Sequence, residues 1–159
     1  MRPLLELQKA VIDRLTSDTN LLALIPLDLA ASEEKDRHFY TYIPNEAISP
    51  YIHFDEPYIS TVYVRPDRVV DVTFTLHVWH NQQMSGDYGN RVPAEIMHAI
   101  KEALRFKLDV EGYRIMKVDI TTERIFDDVN ADVKHGVMTY RYMLDKTLNP
   151  TPVPPITNP

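Results

Sequence analysis

The sequence predicts an α+β fold, with a largely antiparallel sheet of about four long strands and two helices packed on one face. The main observation is Val69–Trp79, where apolar and polar residues alternate as in a strand with one buried face. Over Asn90–Phe106 apolar residues recur at helical spacing, so this segment is suited to cover that face as a helix. Two more alternating stretches follow and predict a second pair of strands.

Composition narrows the classes of function. The chain has 159 residues and a formal net charge of -6, so it lacks the overall positive charge that binds nucleic acid or an anionic membrane. It contains no cysteine, which excludes disulfides and cysteine-based zinc sites. Its first residues become charged too early for a signal peptide. No apolar run reaches the ~20 residues that span a bilayer.

The N-terminal part predicts helix followed by loop. Pro3–Thr16 is expected to be a helix, because proline is tolerated in a first turn. Ser17–Asn20 ends it with side chains that compete for backbone hydrogen bonds, and Leu21–Ile25 adds a short helical turn. Asp28–Tyr42 has no clear period and is predicted to be a surface loop. The apolar stripe of the first helix comprises Leu4, Leu5, Gln8, Val11, Ile12 and Leu15.

Proline marks the boundaries of the first strands. Ser49–Asp55 is predicted to be a strand, and Pro57 interrupts its exit, so the strand is bulged or lies at an edge. Tyr58–Val64 continues in an extended conformation, and Arg65–Arg68 forms the turn into the central strand. The sequence therefore predicts a first hairpin before the long helix.

The second pair of strands spans Tyr113–Ile125 and His135–Leu144. In the first of these, Met116, Val118 and Ile120 alternate with polar residues. In the second, one face is predicted to carry Met138, Tyr140, Tyr142 and Leu144. The acidic connection Phe126–Lys134 joins the two strands and is too long for a tight turn.

The C-terminal segment differs in composition from the rest of the chain. Thr147–Pro159 is rich in proline, which is incompatible with a helix or an interior strand. It is expected to be extended and similar to polyproline II, either free or laid along another subunit as an arm. We therefore divide the chain into a domain at 1–146 and a tail at 147–159.

No residue pattern predicts catalysis or metal binding. His77 and His80 point to opposite faces of a regular strand, and His53, His98 and His135 lie on other elements. Adjacent loop carboxylates such as Asp127 and Asp128 seldom aim at one point, as acid–base catalysis requires. We predict no catalytic residue, no cofactor and no metal ligand.

Long strands with open edges predict self-association. Such edges promote aggregation unless another subunit covers them, and a closed ring of identical subunits leaves no free edge. The hairpin tips are expected to be contact loops, and the only tryptophan, on the face opposite the core, is expected to anchor an interface. The candidate interface residues are Arg65, Asp67, Arg68, Trp79, Asp127, Asp128 and Asp132.

Four stretches, in order, resemble the phage tail-completion protein family. Leu7–Asp18 is similar to the family's opening helix, and Pro50–Asp55 to its proline-led first strand. Thr75–Trp79 resembles the strand before its long helix, and Lys134–Tyr142 its closing strand. The resemblance covers roughly Leu4 to Asp145. The chain departs from the family in the charged insertion Ala30–His38, in its long acidic connection Phe126–Lys134 and in its tail.

The resemblance implies a structural virion protein of the tail or neck, assembled in the host cytoplasm, with a fold akin to tail terminators of long-tailed phages. It implies a ring, expected to be hexameric, that caps the tail tube protein and meets the neck or connector protein. DNA would cross the ring without specific binding, and an acidic chain suits this because a basic lumen would retain a polyanion. Two alternatives stay open: a neck or head-closure adaptor that binds the connector, and a small ligand-binding or hydrolase domain.

Overall fold

A computed structural model describes residues 2–25, 39–44, 47–62, 68–105 and 108–146. None of the helices in these ranges has the length and hydropathy needed to cross a membrane. Along the chain the elements are α1 (Arg2–Ser17), α2 (Thr19–Leu22), β1 (Phe39–Tyr40), β2 (Tyr51–Phe54), β3 (Tyr58–Val62), β4 (Val69–Asn81), α3 (Gln82–Ser85), α4 (Arg91–Ala103), β5 (Tyr113–Asp127) and β6 (Val133–Lys146).

The α+β class is confirmed and most strand pairs are antiparallel, but the predicted number of about four long strands is not confirmed. Within the described ranges the sheet has six strands: β1-β2-β4-β6-β5 lie side by side in that order, and β3 also pairs with β4. It is mixed, because β1 runs parallel to β2 while the other pairs are antiparallel. β1 lies within the predicted loop, and its two buried residues are too few to show a period. The interruption predicted at Pro57 separates β2 from β3.

The central strands extend beyond their predicted limits and pair in one long ladder. β4 has 13 residues, β5 has 15 and β6 has 14. The predicted alternation in β5 is broken by register shifts between Ile115 and Lys117 and between Ile120 and Thr122. Met116 is therefore a bulge residue. Val118 and Ile120 lie opposite Tyr142 and Tyr140 of β6.

The core lies between this sheet and the two longer helices. β4 contributes alternate apolar residues from Val70 to Val78, and β6 contributes the four residues predicted for its buried face. α1 buries Pro3, Leu7, Val11 and Leu15. The predicted stripe was wrong at Leu5, which is 65% exposed because it lies on the side of the helix away from Leu7.

α4 ends at Ala103, earlier than predicted, and packs against β4 and β6. Asn90 occupies the predicted N-cap position, but its side chain makes no capping hydrogen bond. A Cβ atom at Gly136 would lie 2.6 Å from Met97 Sδ and 3.4 Å from Val78 Cβ. The helix therefore approaches β6 closely here, and this contact centres α4 over β4 and β6 instead of over β5.

Candidate assembly surface

One end of the sheet's outer face, opposite the helices, carries a row of rings. Register places Tyr51 beside Trp79, Trp79 beside His135, and His135 beside Phe126. The ring centroids of these pairs are 6.5, 3.7 and 4.7 Å apart. Cross-strand pairs of this kind stabilise a sheet. With His53 and His77 they form what we call the aromatic–histidine patch: Tyr51, His53, His77, Trp79, Phe126 and His135.

Three histidines from three strands meet in this patch. His53 stacks on His77 at 5.7 Å, and His77 Nδ1 lies 2.7 Å from His135 Nε2. One of these two nitrogens must donate and the other accept, which requires at least one neutral ring. Sequence reasoning treated the histidines as separate because only the register of β2, β4 and β6 brings them together. Among the described residues, no group of three or more His, Asp or Glu side chains could hold a metal ion.

Burial favours the neutral forms of His77 and His135. It lowers the pKa of His77, although the Asp55 carboxylate, 3.5 Å from His77 Nε2, acts in the opposite direction. Burial, reinforced by His77, lowers the pKa of His135 to about 4. His77 and His135 therefore join the aromatic side chains of the patch as uncharged rings, a composition typical of protein interfaces.

The patch continues towards the tip of the β5–β6 hairpin. Trp79 Nε1 is buried and has no hydrogen-bond acceptor among the described residues. The guanidinium carbon of Arg124 lies 4.5 Å from the centre of the Phe126 ring, in a cation–π contact. Burial and the nearby charge of Asp128 both raise the pKa of Tyr51.

The tip itself, residues 127–132, is acidic and well held. The Asp128 N–H donates to the Val133 carbonyl at 2.9 Å. The Gln82 N–H, at the start of α3, donates to the Asp132 carbonyl at 2.8 Å. Asp127 pairs with Lys134 at 2.6 Å. These bonds fix the backbone of the loop while the side chain of Val129 remains fully exposed.

The opposite end of the same face is charged and internally paired. Arg68 and Arg114 both bind the carboxylate of Asp145, at 2.8 and 2.9 Å. The hydrogen bond from Arg68 is the largest of the effects that lower the pKa of Asp145. Asp71 is completely buried and accepts from Arg141 at 2.9 Å.

The structure thus divides the predicted interface residues between the two ends. Trp79 and the three tip aspartates Asp127, Asp128 and Asp132 lie together at one end of β4, whereas Arg68 lies at the other. Arg65 and Asp67 lie outside the described residues. The interface role of all seven stays a prediction.

A second surface, on the helix side of the sheet, was missed by sequence reasoning. We call it the β5 groove, an open cavity of about 670 Å³ between the C-terminal half of α4 and β5. It exists because α4 covers β6 and leaves Val118 and Ile120 of β5 42% and 38% exposed. Its apolar lining comprises Leu104, Leu108, Ile115, Val118, Ile120, Tyr140 and Tyr142, and its rim includes Lys101, Glu102 and Arg105.

These features are typical of one class of protein: an α+β subunit that functions through contacts with other proteins. Stacked neutral rings, an exposed acidic tip and a long edge strand are all suited to assembly. The sequence profile of the family described as tail completion protein gp17 matches residues 9–145. The chain therefore belongs to the tail completion protein family, which confirms the predicted resemblance. It is a virion-associated structural protein of the tail, in a family that is structural and not enzymatic.

A solved structure has the same fold. The chain is similar to a protein in the virion of a native gene transfer agent particle, with a TM-score of 0.68 and 16% sequence identity. The match covers 87% of this chain and 94% of that one. No curated protein sequence matches. At this identity the likeness establishes the fold, and the family match establishes the class.

Proposed function

We propose that the protein terminates the tail by forming a ring of identical subunits that caps the tail tube and presents the surface that joins the head. The observation that carries this proposal is the edge strand β5. It is 15 residues long and pairs only with β6 among the described residues. A long open edge is a ready template for further pairing, so a stable subunit needs a neighbour to cover it.

A closed ring meets this need at every subunit. Each subunit presents its β5 edge to a different surface of the next, and the rotation closes when the last subunit meets the first. The exposed bulge residue Met116 lies on this edge strand and supplies apolar area for the contact. We expect six subunits, as family resemblance implies.

The two ends of the sheet then serve two axial partners. The acidic tip and Arg68, just before β4, lie at opposite ends of a ladder that runs roughly 40 Å, at about 3.3 Å per residue. One end contacts the tail tube protein and the other the neck or connector protein. The acidic chain leaves DNA unbound as it crosses the ring.

Negative-stain imaging and mass measurement of the purified protein test the ring. We expect six-fold rings from the native chain. Met116→Lys should give monomers with an unchanged melting temperature, because Met116 is half exposed and a charge there opposes only the subunit contact. Met84→Lys is the matched control, since Met84 is exposed on α3 and away from the edge; it should still form rings.

If the native chain stays monomeric both alone and with added tail tube protein, the proposal that it forms a ring is wrong. Pull-downs with tail tube protein and with connector protein test the axial contacts separately. Binding to both is expected of a terminator. Binding to the connector alone would make the protein a neck adaptor instead.

A further inference from the structure

We propose that the β5 groove is the docking site of this chain's own C-terminal segment, residues 147–159. The groove needs an occupant because it leaves apolar side chains of β5 in contact with water. Val118 and Ile120 are large, exposed and adjacent to the core rings Tyr140 and Tyr142. Covering such a surface is favourable in proportion to the apolar area removed from water.

The last described residue lies at one end of this groove. Lys146, which ends β6, is paired with Tyr113, and Leu144 is paired with Ile115 of the groove. The groove then runs along β5 past Val118 to Ile120, away from the chain end. Residues 147–159 lie outside the described residues. The proposal requires that the chain reverses direction after β6, so that the segment enters the groove beside Ile115.

The sequence of the segment is suited to that path. Asn149–Pro150 is a turn-forming pair, placed soon after the strand ends. Thr151–Thr157 follows; in a polyproline II conformation at ~3.1 Å per residue it spans roughly 20 Å. The groove from Ile115 to Ile120 spans roughly 17 Å at ~3.3 Å per residue. The segment therefore has sufficient length to turn back and fill the groove.

The chemistry of the two surfaces also matches. The exposed part of the groove is aliphatic, because Val118 and Ile120 are 42% and 38% exposed while Tyr140 and Tyr142 are buried beneath them. Proline-rich extended segments are themselves largely apolar, so docking would remove apolar area of both surfaces from water. Residues 147–159 contain no charged side chain, so docking buries no unpaired charge against the apolar floor. Val153 and Ile156 supply apolar side chains at intervals along the segment.

The tether favours the chain's own segment over that of a neighbour. A segment attached at the groove's end samples it at an effective concentration in the ~mM range, without a second molecule. The loop to be closed is short, and its entropy cost grows only slowly with length.

Engineered disulfides test the proposal directly, because the chain has no native cysteine. The test pair is Val118→Cys with Ile156→Cys in the full chain. The matched control is Asp119→Cys with Ile156→Cys. Asp119 lies next to Val118 but is paired with Arg141, so it faces the other side of the sheet. Both pairs have nearly the same tether length, so random encounters occur at similar rates.

Oxidation with glutathione disulfide, followed by non-reducing electrophoresis and mass measurement, gives the result. We expect an intramolecular disulfide to form about ten-fold faster in the test pair than in the control, since docking raises the local concentration of Ile156→Cys only on the groove side. A second pair, Ile115→Cys with Val153→Cys, repeats the test nearer the entry of the groove, in the order along β5 that the proposed path requires. Equal rates in test and control, or covalent dimers as the main product, would overturn the proposal.

Discussion

The two ends of the β4–β6 ladder share one face of one sheet, yet their chemistry is opposite. At the Arg68 end, the carboxylates of Asp71 and Asp145 are paired with arginines of the same chain. At the Trp79 end, neutral rings stack in a row and the indole N–H is buried without an acceptor among the described residues. The charges of the first end are paired within the chain, whereas the second end presents partly exposed rings to a partner.

This difference separates folding from assembly. A buried carboxylate paired with arginine is costly to break, because removing one charge leaves the other uncompensated. Exposed loop charges contribute little to stability, typically below about 1 kcal/mol per pair. Substitutions at the charged end should therefore lower the free energy of unfolding, and substitutions at the tip should change binding instead.

The largest effect is expected from Asp71→Asn. It removes the carboxylate charge next to Arg141 while the residue stays buried, and should lower the free energy of unfolding by about 2–3 kcal/mol. This loss is smaller than the roughly 3–5 kcal/mol typical of a broken buried ion pair, because the Arg141 side chain is 39% exposed. Urea unfolding measures it. Asp119→Asn, on the same face but paired at the surface with Lys117, should change the value by less than about 0.5 kcal/mol.

An intermediate, pH-dependent effect is expected at His135. Its folded pKa, about 4, is below the unfolded value, so between pH 6.5 and 4 the unfolded chain binds more protons and stability falls as pH falls. After allowance for solvent screening, this loss is about 1–2 kcal/mol. His135→Phe keeps a ring on Trp79 and removes the titration, so its curve of unfolding free energy against pH should be shallower in that window. An unchanged slope would contradict the assignment.

The smallest effect on stability is expected at the tip. Replacing Asp127, Asp128 and Asp132 together by asparagine should change the free energy of unfolding by less than about 1 kcal/mol, because the Asp127 carboxylate is 58% exposed and the loop is held by backbone bonds. The same variant should lose attachment of tails to heads, measured by an infectivity or tail-joining assay. If tails still join heads normally, the tip is not part of the interface that joins them.

Sequence reasoning succeeded where a local period is long enough to be read. The alternation of β4 and of β6, and the helical repeat of α4, each extend over many residues and were placed on the correct face. β1 was not predicted because two residues are too few to show a period. The bulges in β5 were not predicted because they depend on pairing with β6.

The candidate surfaces depend on contacts that are distant in the sequence. His53, His77 and His135 come from three strands, and only the register shows that they touch. The β5 groove exists because α4 is centred by its contact at Gly136, which a helical period alone does not specify. Trp79 was placed on the outer face because its position is out of phase with the apolar residues of β4.

The exposed side chain of Val129 has a consequence for which surfaces the acidic tip can contact. It is an exposed apolar side chain with Asp127, Asp128 and Asp132 close by in the chain, so two free tips repel each other before their valines can meet. Only a surface that carries positive charge around an apolar hollow removes this barrier. Added salt should weaken docking onto that surface and ease contact between tips, because screening shortens both interactions to a few ångströms. Ionic strength then reports which of the two encounters takes place.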